Sequence, residues 1–326
     1  MTRNAFVTGA TGFVGFNLLE QLIAQGWDVT ALHRSTSDLT YLNRFKIKQV
    51  LGEITDAQSI KALIPIACDT VFHVAGNTNM WRARNWQQTL DNVVGTRNVV
   101  EACLANGVRR LVLTSSISAY GPVSGAVTEE TASLAAKSWI NYQKTKWQAQ
   151  EIARAATQRG LEVVILQPGG VIGPYDFASW SRMFLLLRDG KLAGVPAGAR
   201  TFAHVREVVA AHIAAATQGK NGAQYILGGT NASLLELAQD VAELLGKKPP
   251  TRVMPTLLVK GVAASADFFS RFTKREPSVT PEIAAAFGVT LSATAAKAQR
   301  ELGFKVVPLK SMLKDCFDWM VAEKRL

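Results

Sequence analysis

A glycine-rich turn close to the N-terminus constrains the fold of this chain more than any other feature. The residues TGATGFVG begin at Thr8, after a short apolar run, and Phe16–Ile23 follows with apolar side chains at helical spacing. In such a turn Gly9 permits a sharp bend, Gly12 leaves room for a phosphate to approach the backbone, and Gly15 lets the helix pack on a strand. The positive end of that helix attracts anions. The pattern predicts a strand–turn–helix unit that binds the pyrophosphate of a dinucleotide.

Short apolar runs alternate with helical patterns through the first half of the chain. The predicted strands are Ala5–Thr8, Val29–His33, Lys48–Leu51, Thr70–Val74, Arg110–Thr114 and Glu162–Gln167. This alternation is typical of a parallel sheet with right-handed crossover helices on both faces. The predicted fold is α/β, with a Rossmann-type, doubly wound parallel sheet.

After residue 174 the alternation stops, and two stretches rich in Pro, Gly and aromatic residues follow. Between these two stretches, a predicted helix and strand return to the main sheet. The predicted dinucleotide-binding domain comprises residues 1–174 and about 201–230. A smaller, discontinuous C-terminal lobe comprises about 175–200 and 231–326. Ligands of such sheets bind beyond the carboxyl ends of the strands, so this lobe is expected to bind the substrate.

The composition is that of a globular enzyme, with 48% hydrophobic and 19% charged residues. The net charge of +11 is spread along the chain without a run of five basic residues, so no nucleic-acid partner is predicted. Three cysteines, Cys68, Cys103 and Cys316, lack metal-binding spacing and are interpreted as buried thiols; no metal site is predicted. No signal peptide and no bilayer-spanning run are found, which predicts a cytoplasmic protein without stable membrane insertion.

The segment Leu257–Phe272 is apolar enough to suggest an interfacial membrane helix. However, Lys260, Asp267 and Arg271 interrupt it, and it lacks a basic face. The sequence therefore favours a lid helix over an apolar substrate.

Tyr142 and Lys146 lie four residues apart in a helix predicted over Ile140–Thr157. That spacing places both side chains on one helix face. A phenol, with a pKa near ~10, is a poor acid–base group at neutral pH, but a nearby cation lowers its pKa. The same spacing also occurs in surface helices whose Tyr only packs on a neighbour.

The predicted strand Arg110–Thr114 ends in a hydroxyl residue, and Ser115 and Ser116 follow it. A serine at the carboxyl end of a strand can hydrogen-bond a substrate carbonyl oxygen, or it can cap the next helix. The two roles can divide between these adjacent serines.

Taken as a set, the motifs of this chain resemble the extended short-chain dehydrogenases/reductases, the NAD-dependent epimerase/dehydratase superfamily. The likeness is greatest to the dihydroflavonol reductase and 3β-hydroxysteroid dehydrogenase-like branch, and it extends from Thr2 to about Ala216. The motifs, in chain order, are TGATGFVG from Thr8, VFHVAG from Val71, NVVGTRN from Asn92, LTSSISAYG from Leu113, YQKTK from Tyr142 and QPGGVIGP from Gln167.

This resemblance implies a role for each catalytic residue. Ser116 takes the position of the catalytic serine and Tyr142 that of the proton donor. Lys146 would bond the nicotinamide ribose and lower the pKa of the tyrosine. Asn92 would anchor backbone near the cofactor. The implied cofactor-binding residues are Gly9, Thr11, Gly12, Phe13, Val14, Gly15, His33, Arg34, Ser35, Glu53, Ile54, Val74, Ala75, Gly76, Asn92, Thr114, Tyr142, Lys146, Pro168, Gly169 and Val171.

The residues after the second predicted strand bear on cofactor choice. NAD-preferring folds place an acid there to bond the ribose hydroxyls. This chain has His33, Arg34 and Ser35, and a guanidinium is suited to a 2′-phosphate. NADP(H) is therefore expected, with NAD(H) as the alternative. Further along, Glu53-Ile54 resembles the family's Asp–hydrophobe pair at the adenine, with Glu replacing Asp.

Three functions remain open. The favoured one is NADPH-dependent reduction of an apolar ketone or aldehyde. The second is a nucleotide-sugar epimerase with bound NAD, whose diphosphate could be met by Arg182, Arg188 and Arg200. The third is a non-catalytic NADP(H)-sensing regulator. Sugar dehydration is not expected, because Ser116 is followed by Ile-Ser rather than by the Asp-Glu that elimination needs.

Two further expectations concern assembly and histidines. The family resemblance implies a homodimer formed through helices at about Trp86–Ala105 and Ile140–Thr157. His73, His204 and His212 are interpreted as structural. The pair Arg206-Glu207, where relatives often have two aspartates, has no functional interpretation.

Overall fold

The computed structural model describes residues 3–123, 125–192 and 194–326. Its strands are β1 (Asn4–Thr8), β2 (Asp28–His33), β3 (Lys48–Leu51), β4 (Thr70–His73), β5 (Arg110–Thr114), β6 (Gly125–Val127), β7 (Glu162–Pro168), β8 (Gly170–Ile172), β9 (Ala199–His204), β10 (Gln224–Leu227), β11 (Thr230–Ser233) and β12 (Leu291–Ala293). Its helices are α1 (Phe13–Ala24), α2 (Ala57–Leu63), α3 (Asn85–Thr89), α4 (Gly95–Ala105), α5 (Asn141–Ala156), α6 (Arg182–Arg188), α7 (Val205–Thr217), α8 (Leu234–Leu244), α9 (Thr256–Thr273), α10 (Pro281–Phe287), α11 (Ala296–Leu302) and α12 (Leu309–Ala322).

The main sheet has seven parallel strands in the order β3-β2-β1-β4-β5-β7-β10. The chain winds outward from β1 to β3 and then crosses back to β4, so the order reverses between β1 and β4. Ligands of doubly wound sheets bind at this kind of reversal. The α/β, Rossmann-type fold is confirmed, and the predicted return of a helix and strand corresponds to α7 and β10.

Apolar side chains fill both faces of this sheet, which is why its strands are continuous apolar runs. One cluster includes Phe16, Phe72 and Val208, and the other includes Phe6 and Leu111 on the opposite face. All five side chains are fully buried. The three cysteines are free and buried as well, as predicted.

A second, mixed sheet lies beyond the main one, and the sequence did not predict it. Its order is β11-β9-β12-β6, with β8 paired to β9. Because most of its strands have only three or four residues, they leave no readable period in the sequence. β6 and β8 precede residue 174, so this part of the fold uses more of the chain than the predicted boundaries allowed. Conversely, Ala298 and Leu302 of α11 pack into the core of the main sheet.

The core of the second lobe is formed by α6, α8 and α12. Phe184, Leu237 and Met312 are fully buried there. α8 begins with a capping box in which Ser233 and Glu236 satisfy each other's backbone N–H groups.

Helix α9 agrees with the helix predicted over Leu257–Phe272, but its orientation does not fit the predicted lid. Val259 and Ala263 pack against Ala284 of α10. The large apolar side chains of the opposite face are exposed instead of covering a substrate. None of the helices within the described residues is long and apolar enough to cross a membrane.

The helices expected to form a dimer lie side by side on one face of the main sheet. α3 and α4 are joined by the π-helical turn Leu90–Val94 into one continuous helix, and α5 packs against it. Homodimer formation through these helices stays a prediction.

An aromatic cluster joins the C-terminal helix to the dinucleotide-binding domain. The Trp319 ring of α12 lies 5.4 Å from the rings of Tyr175 and Phe177. Tyr41 contacts the same group, with its ring 5.2 Å from that of Phe177. These offset and edge-on contacts stabilise the junction of the two lobes.

We expect Trp319→Ala to lower the free energy of unfolding by ~2–4 kcal/mol, because the substitution leaves a cavity among these rings. Urea unfolding followed by circular dichroism measures the change. The matched control is Trp139→Ala, whose side chain is 55% exposed and should change stability by less than ~0.5 kcal/mol. Equal losses in the two variants would contradict a role for the cluster.

Candidate active site

The sequence-predicted site residues converge on one edge of the main sheet. All seven strands are parallel, so their carboxyl ends lie together. The predicted residues follow β1, β2, β3, β4, β5 and β7 or lie on the helices beside them. One side of the molecule thus holds both the predicted cofactor residues and the predicted catalytic residues.

The glycine turn between β1 and α1 fits a pyrophosphate. Gly9 has a φ of 71°, and a Cβ there would overlap the backbone of Ala75. A Cβ on Gly15 would collide with the Gly9 carbonyl oxygen. Gly12 precedes α1, which has neither a side-chain cap nor an acid in its first turn. The first N–H groups of the helix are thus left for an anionic ligand. Thr11, Phe13 and Val14 are half-buried in the same turn.

The end of β4 crosses close to this turn. The backbone N–H of Val74 donates to the Thr8 carbonyl, and that of Ala75 to the Thr8 hydroxyl, both at 3.3 Å. Gly76 comes next, and a Cβ there would lie 3.4 Å from Lys146 Nζ. The glycine therefore keeps open a space beside that ammonium.

His73 is a structural connector, in agreement with its interpretation from sequence. Its ring nitrogens lie 2.7 Å from the Thr8 hydroxyl and 3.0 Å from the Thr96 hydroxyl. Burial lowers the pKa of His73 to about 3, so the ring is neutral at physiological pH. These contacts fix the ends of β1 and β4 relative to α4.

Arg34 and Ser35 are exposed just after β2, and His33 is half-buried at its end. The backbone N–H of Arg34 donates to the Ser37 hydroxyl at 3.1 Å, and that hydroxyl lies 3.5 Å from Thr11 Oγ1. Arg34 is therefore held near the glycine turn.

The residues predicted at the adenine follow β3. Glu53 is exposed, whereas Ile54 is half-buried. The Ile54 carbonyl accepts from Asn98 Nδ2 at 2.9 Å, and its side chain occupies the space left by Gly95. Ile54 is thus fixed against α4, while the carboxylate of Glu53 faces solvent.

Lys146 is buried and lacks a counter-charge. Its Nζ donates to the Thr114 carbonyl at 2.9 Å. No carboxylate within the described residues forms an ion pair with it, and burial lowers its pKa to about 8. An ammonium has three donors, so two remain for other acceptors. The ribose hydroxyls of a dinucleotide would satisfy this need.

Tyr142 is also buried, one helical turn before Lys146. Burial raises the pKa of the phenol, and a hydrogen bond with Ser116 acts in the opposite direction. The net effect is a pKa above the ordinary value of a phenol, whereas the spacing of Tyr142 and Lys146 predicted a lowered one. The phenol is therefore protonated at neutral pH.

The two serines after β5 do not divide the roles as predicted, because Ser116 itself caps the helical turn that follows it. Ser116 lies beside the Tyr142 phenol, and its hydroxyl also accepts from the Ser118 N–H at 3.1 Å. Ser115 accepts instead from Gln150, in a buried network that continues to Gln167. Only Ser116 is placed to meet a ligand at the phenol.

Asn92 lies in the π-helical turn before α4. Its Oδ1 accepts from the Asn77 N–H at 2.7 Å, and its Nδ2 donates to the Asn77 carbonyl and to the Thr145 hydroxyl. Sequence reasoning assigned the anchor but missed Asn77 and Thr145, because their contacts span 15 and 53 residues. π-helical turns are frequent at functional sites.

The end of β7 carries the remaining predicted cofactor-binding residues. Pro168 is the last residue of β7, and the Gly169 N–H donates to the Leu227 carbonyl at 3.2 Å. A Cβ on Gly169 would overlap Thr201 of β9. Val171 lies in β8, which pairs with β9, so this segment carries the main sheet into the second one.

The other two histidines are structural too. His212 lies within α7, rather than near its start, and its Nε2 is 2.7 Å from the Thr114 hydroxyl. Burial lowers the pKa of His212 to about 4. His204 caps α7 and its Nε2 is 3.1 Å from Asp315. No cluster of potential metal ligands occurs among the described residues.

The loop after β4 connects the cleft to the α9–α10 hairpin. The Thr280 hydroxyl donates to the Met80 carbonyl at 2.8 Å, and Arg82 pairs with Glu282 at 3.2 Å. The loop begins at Asn77, beside Asn92. It therefore links the surroundings of Lys146 to the second lobe.

Arg200 is buried like Lys146, but it lies in the second lobe. Within the described part of the chain its Nη1 atom has no hydrogen-bond partner, and burial lowers its pKa to about 10. The guanidinium lies 5.2 Å from the Phe287 ring centroid. Arg182 is exposed and Arg188 pairs with Asp189, so the three arginines do not form a buried cluster.

Comparison with known proteins identifies the family. Residues 5–228 match the NAD dependent epimerase/dehydratase family. The chain is 32% identical to a putative dihydroflavonol 4-reductase of Synechocystis sp., over 96% of this chain and 93% of that protein. It is 30% identical to sterol demethylase protein B of Methylococcus capsulatus, over 96% of this chain and 97% of that protein.

A solved structure shares the fold of this chain. MoeE5 in complex with UDP-glucose and NAD is 25% identical, with a TM-score of 0.77 over 98% of this chain and 99% of its own. The resemblance found in the sequence motifs is confirmed. The chain belongs to the NAD-dependent epimerase/dehydratase family of extended short-chain dehydrogenases/reductases, and it is an NAD(P)-dependent oxidoreductase.

Proposed function

We propose that this protein is an NADPH-dependent reductase that converts an apolar ketone or aldehyde into the alcohol. The observation that carries the proposal is the buried set Ser116, Tyr142 and Lys146 at the carboxyl edge of the sheet. A phenol whose pKa is raised by burial stays protonated at neutral pH. That state suits a group that must give a proton to a carbonyl oxygen.

A nicotinamide bound beside these residues would supply the hydride that the carbonyl carbon receives. Ser116 donates a hydrogen bond to the carbonyl oxygen, and Tyr142 gives its proton to the same oxygen as negative charge develops there. Lys146 holds the ribose through its remaining N–H donors. Asn92 bonds both Asn77 and Thr145. Through Thr145 it holds α5, the helix that carries Tyr142 and Lys146.

The preference for NADPH over NADH is proposed from Arg34. The guanidinium follows β2 on an exposed turn, and no acid occupies the position where NAD-preferring folds bond the ribose. Arginine binds phosphate through paired hydrogen bonds. The glycine turn lies next to this segment through the contact between Thr11 and Ser37.

The apolar character of the substrate is proposed from the second lobe. Trp180 packs edge-on against both Phe202 and Phe287 beside β8. Two relatives carry names that indicate apolar ligands, a dihydroflavonol reductase and a sterol demethylase protein.

The second candidate, a nucleotide-sugar epimerase with bound NAD, is favoured by one observation. The buried, incompletely bonded guanidinium of Arg200 suits an oxygen-rich or anionic substrate group. A diphosphate usually recruits several cations, and Arg182 and Arg188 do not join Arg200. A non-catalytic NADP(H) sensor ranks third, because the catalytic residues are all present.

Replacing the proton donor tests the reaction. Tyr142→Phe should lower the rate of carbonyl reduction by about 10²–10⁴-fold, because the phenolic hydroxyl that donates the proton is lost. Steady-state oxidation of NADPH is measured with apolar ketones and aldehydes. Tyr175→Phe is the matched control, since its hydroxyl bonds Glu20 at 2.6 Å outside the catalytic group. Undiminished turnover by Tyr142→Phe would refute the mechanism.

The cofactor preference has its own test. Arg34→Ala should weaken NADPH binding at least ~10-fold and leave NADH binding nearly unchanged, because a charge-assisted contact to the 2′-phosphate is lost. Calorimetric titration with both cofactors measures this. Arg84→Ala serves as control for the loss of an exposed arginine elsewhere on the chain. Equal affinity of the parent protein for NADH and NADPH would rule out the preference.

The lowered pKa of Lys146 predicts how the affinity for the cofactor depends on pH. Its pKa of about 8 in the free protein means that the ammonium is present below that pH and lost above it. Affinity for the cofactor should fall about 10-fold between about pH 7 and pH 9, because binding needs the cation. Lys146→Met should bind weakly with a flat profile. A parent profile as flat as that of the variant would contradict the assigned role.

A further inference from the structure

The outward face of α9 is the largest concentration of exposed apolar side chains on the described surface. Sixteen large hydrophobic residues are exposed in the described chain, and six of them lie in this one helix. They are Leu257, Leu258, Val262, Phe268, Phe269 and Phe272, and they are between 49% and 84% exposed. We call these six residues the α9 apolar face.

The side of α9 that faces the protein is already packed against other residues. Val259, Ala263 and Asp267 recur every four residues and are buried, and Val259 and Ala263 pack with α10. At 100° per residue, the α9 apolar face lies on the opposite side of the helix. The phenyl rings of Phe268 and Phe272 lie 5.3 Å apart and form a continuous surface. Folding alone therefore does not account for these side chains.

In the stretch 247–275, which includes α9, every exposed charge is positive. Between residues 247 and 275 the single acid is Asp267, which is buried and pairs with Arg271. The remaining cations of this stretch are in no ion pair with another described residue. They are Lys247, Lys248, Arg252, Lys260, Lys274 and Arg275, and all six are exposed.

We propose that the α9 apolar face docks on an anionic lipid surface. A helix with one apolar face and cations at its borders lies in the plane of a bilayer interface, with its large side chains among the acyl chains. Each nearby cation gains about 1 kcal/mol from anionic headgroups. The 18 residues of α9 extend over roughly 27 Å, enough to lie flat on a membrane.

The charge pattern favours lipid over a second copy of the chain. Two identical faces would bring together Lys260 and Lys274, which lie in α9 and at its C-terminal end, and like charges at a contact repel. An anionic membrane neutralises them instead. The segment after α9 also contacts the loop after β4, because the Thr280 hydroxyl donates to the Met80 carbonyl.

Vesicle flotation tests this inference on the full-length protein. Vesicles of phosphatidylcholine alone are compared with vesicles that also contain phosphatidylglycerol. The parent protein should float with the anionic vesicles and much less with the neutral ones. Phe268→Ser, Phe269→Ser and Phe272→Ser combined should lower binding at least ~10-fold, since the three phenyl groups that would enter the acyl chains are lost.

Two further variants separate the contributions. Lys260→Glu, Lys274→Glu and Arg275→Glu combined should abolish the preference for anionic vesicles. The matched control combines Ile66→Ser, Leu134→Ser and Val306→Ser, three exposed apolar residues elsewhere, and should float like the parent. Thermal unfolding of each variant in the absence of lipid confirms that the fold is retained.

Three outcomes would overturn the proposal. One is a parent protein that does not float with anionic vesicles. Another is equal flotation of the parent and the triple-serine variant of α9. The third is self-association of the parent in sedimentation without lipid that the same variant abolishes, which would assign the face to a second copy of the chain.

Discussion

The buried ammonium of Lys146 is the constraint on which the arrangement of the cleft depends. It is tied to the Thr114 carbonyl at the end of β5, next to Gly76 at the end of β4. Burial shifts its pKa from 10.5 to about 8, which costs the empty protein roughly 3 kcal/mol at neutral pH. Because the folded pKa is depressed, that cost is full below about pH 8 and disappears as the pH rises toward 10.5. A ligand that offers hydrogen-bond acceptors to the Lys146 ammonium offsets part of this free-energy cost.

The surrounding structure holds this unfavourable group in place. Asn92 locks α5 through Thr145, and His73 holds the ends of β1 and β4 together. These are buried, neutral hydrogen bonds, which are stronger and more directional than contacts in water. The site therefore has its geometry before a ligand arrives, which reduces the reorganisation that binding and reaction require.

The sequence predicted the main sheet well, for a physical reason. Parallel strands buried on both faces are apolar runs, so six of them were placed to within a residue or so. The catalytic motif is local, and Tyr142 and Lys146 lie within one helical turn. The second sheet was missed, because strands such as β6 and β8 have three residues and pair with distant partners.

Other features depend on burial, which spacing cannot reveal. The cation four residues after Tyr142 suggested a lowered pKa, whereas desolvation raises it. The apolar segment Leu257–Phe272 suggested a lid, yet α10 covers the other side of that helix and leaves its large side chains exposed. In both cases the three-dimensional surroundings, which residue spacing does not show, change the interpretation.

The most direct measurement of the central claim follows the hydride. NADPH that carries deuterium at the transferable position of C4 is incubated with the protein and an apolar ketone, and the alcohol is analysed by mass spectrometry. The account predicts one deuterium on the carbinol carbon for each NADPH oxidised. An alcohol without deuterium, or sugar-nucleotide epimerisation with no net oxidation of NADPH, would contradict it.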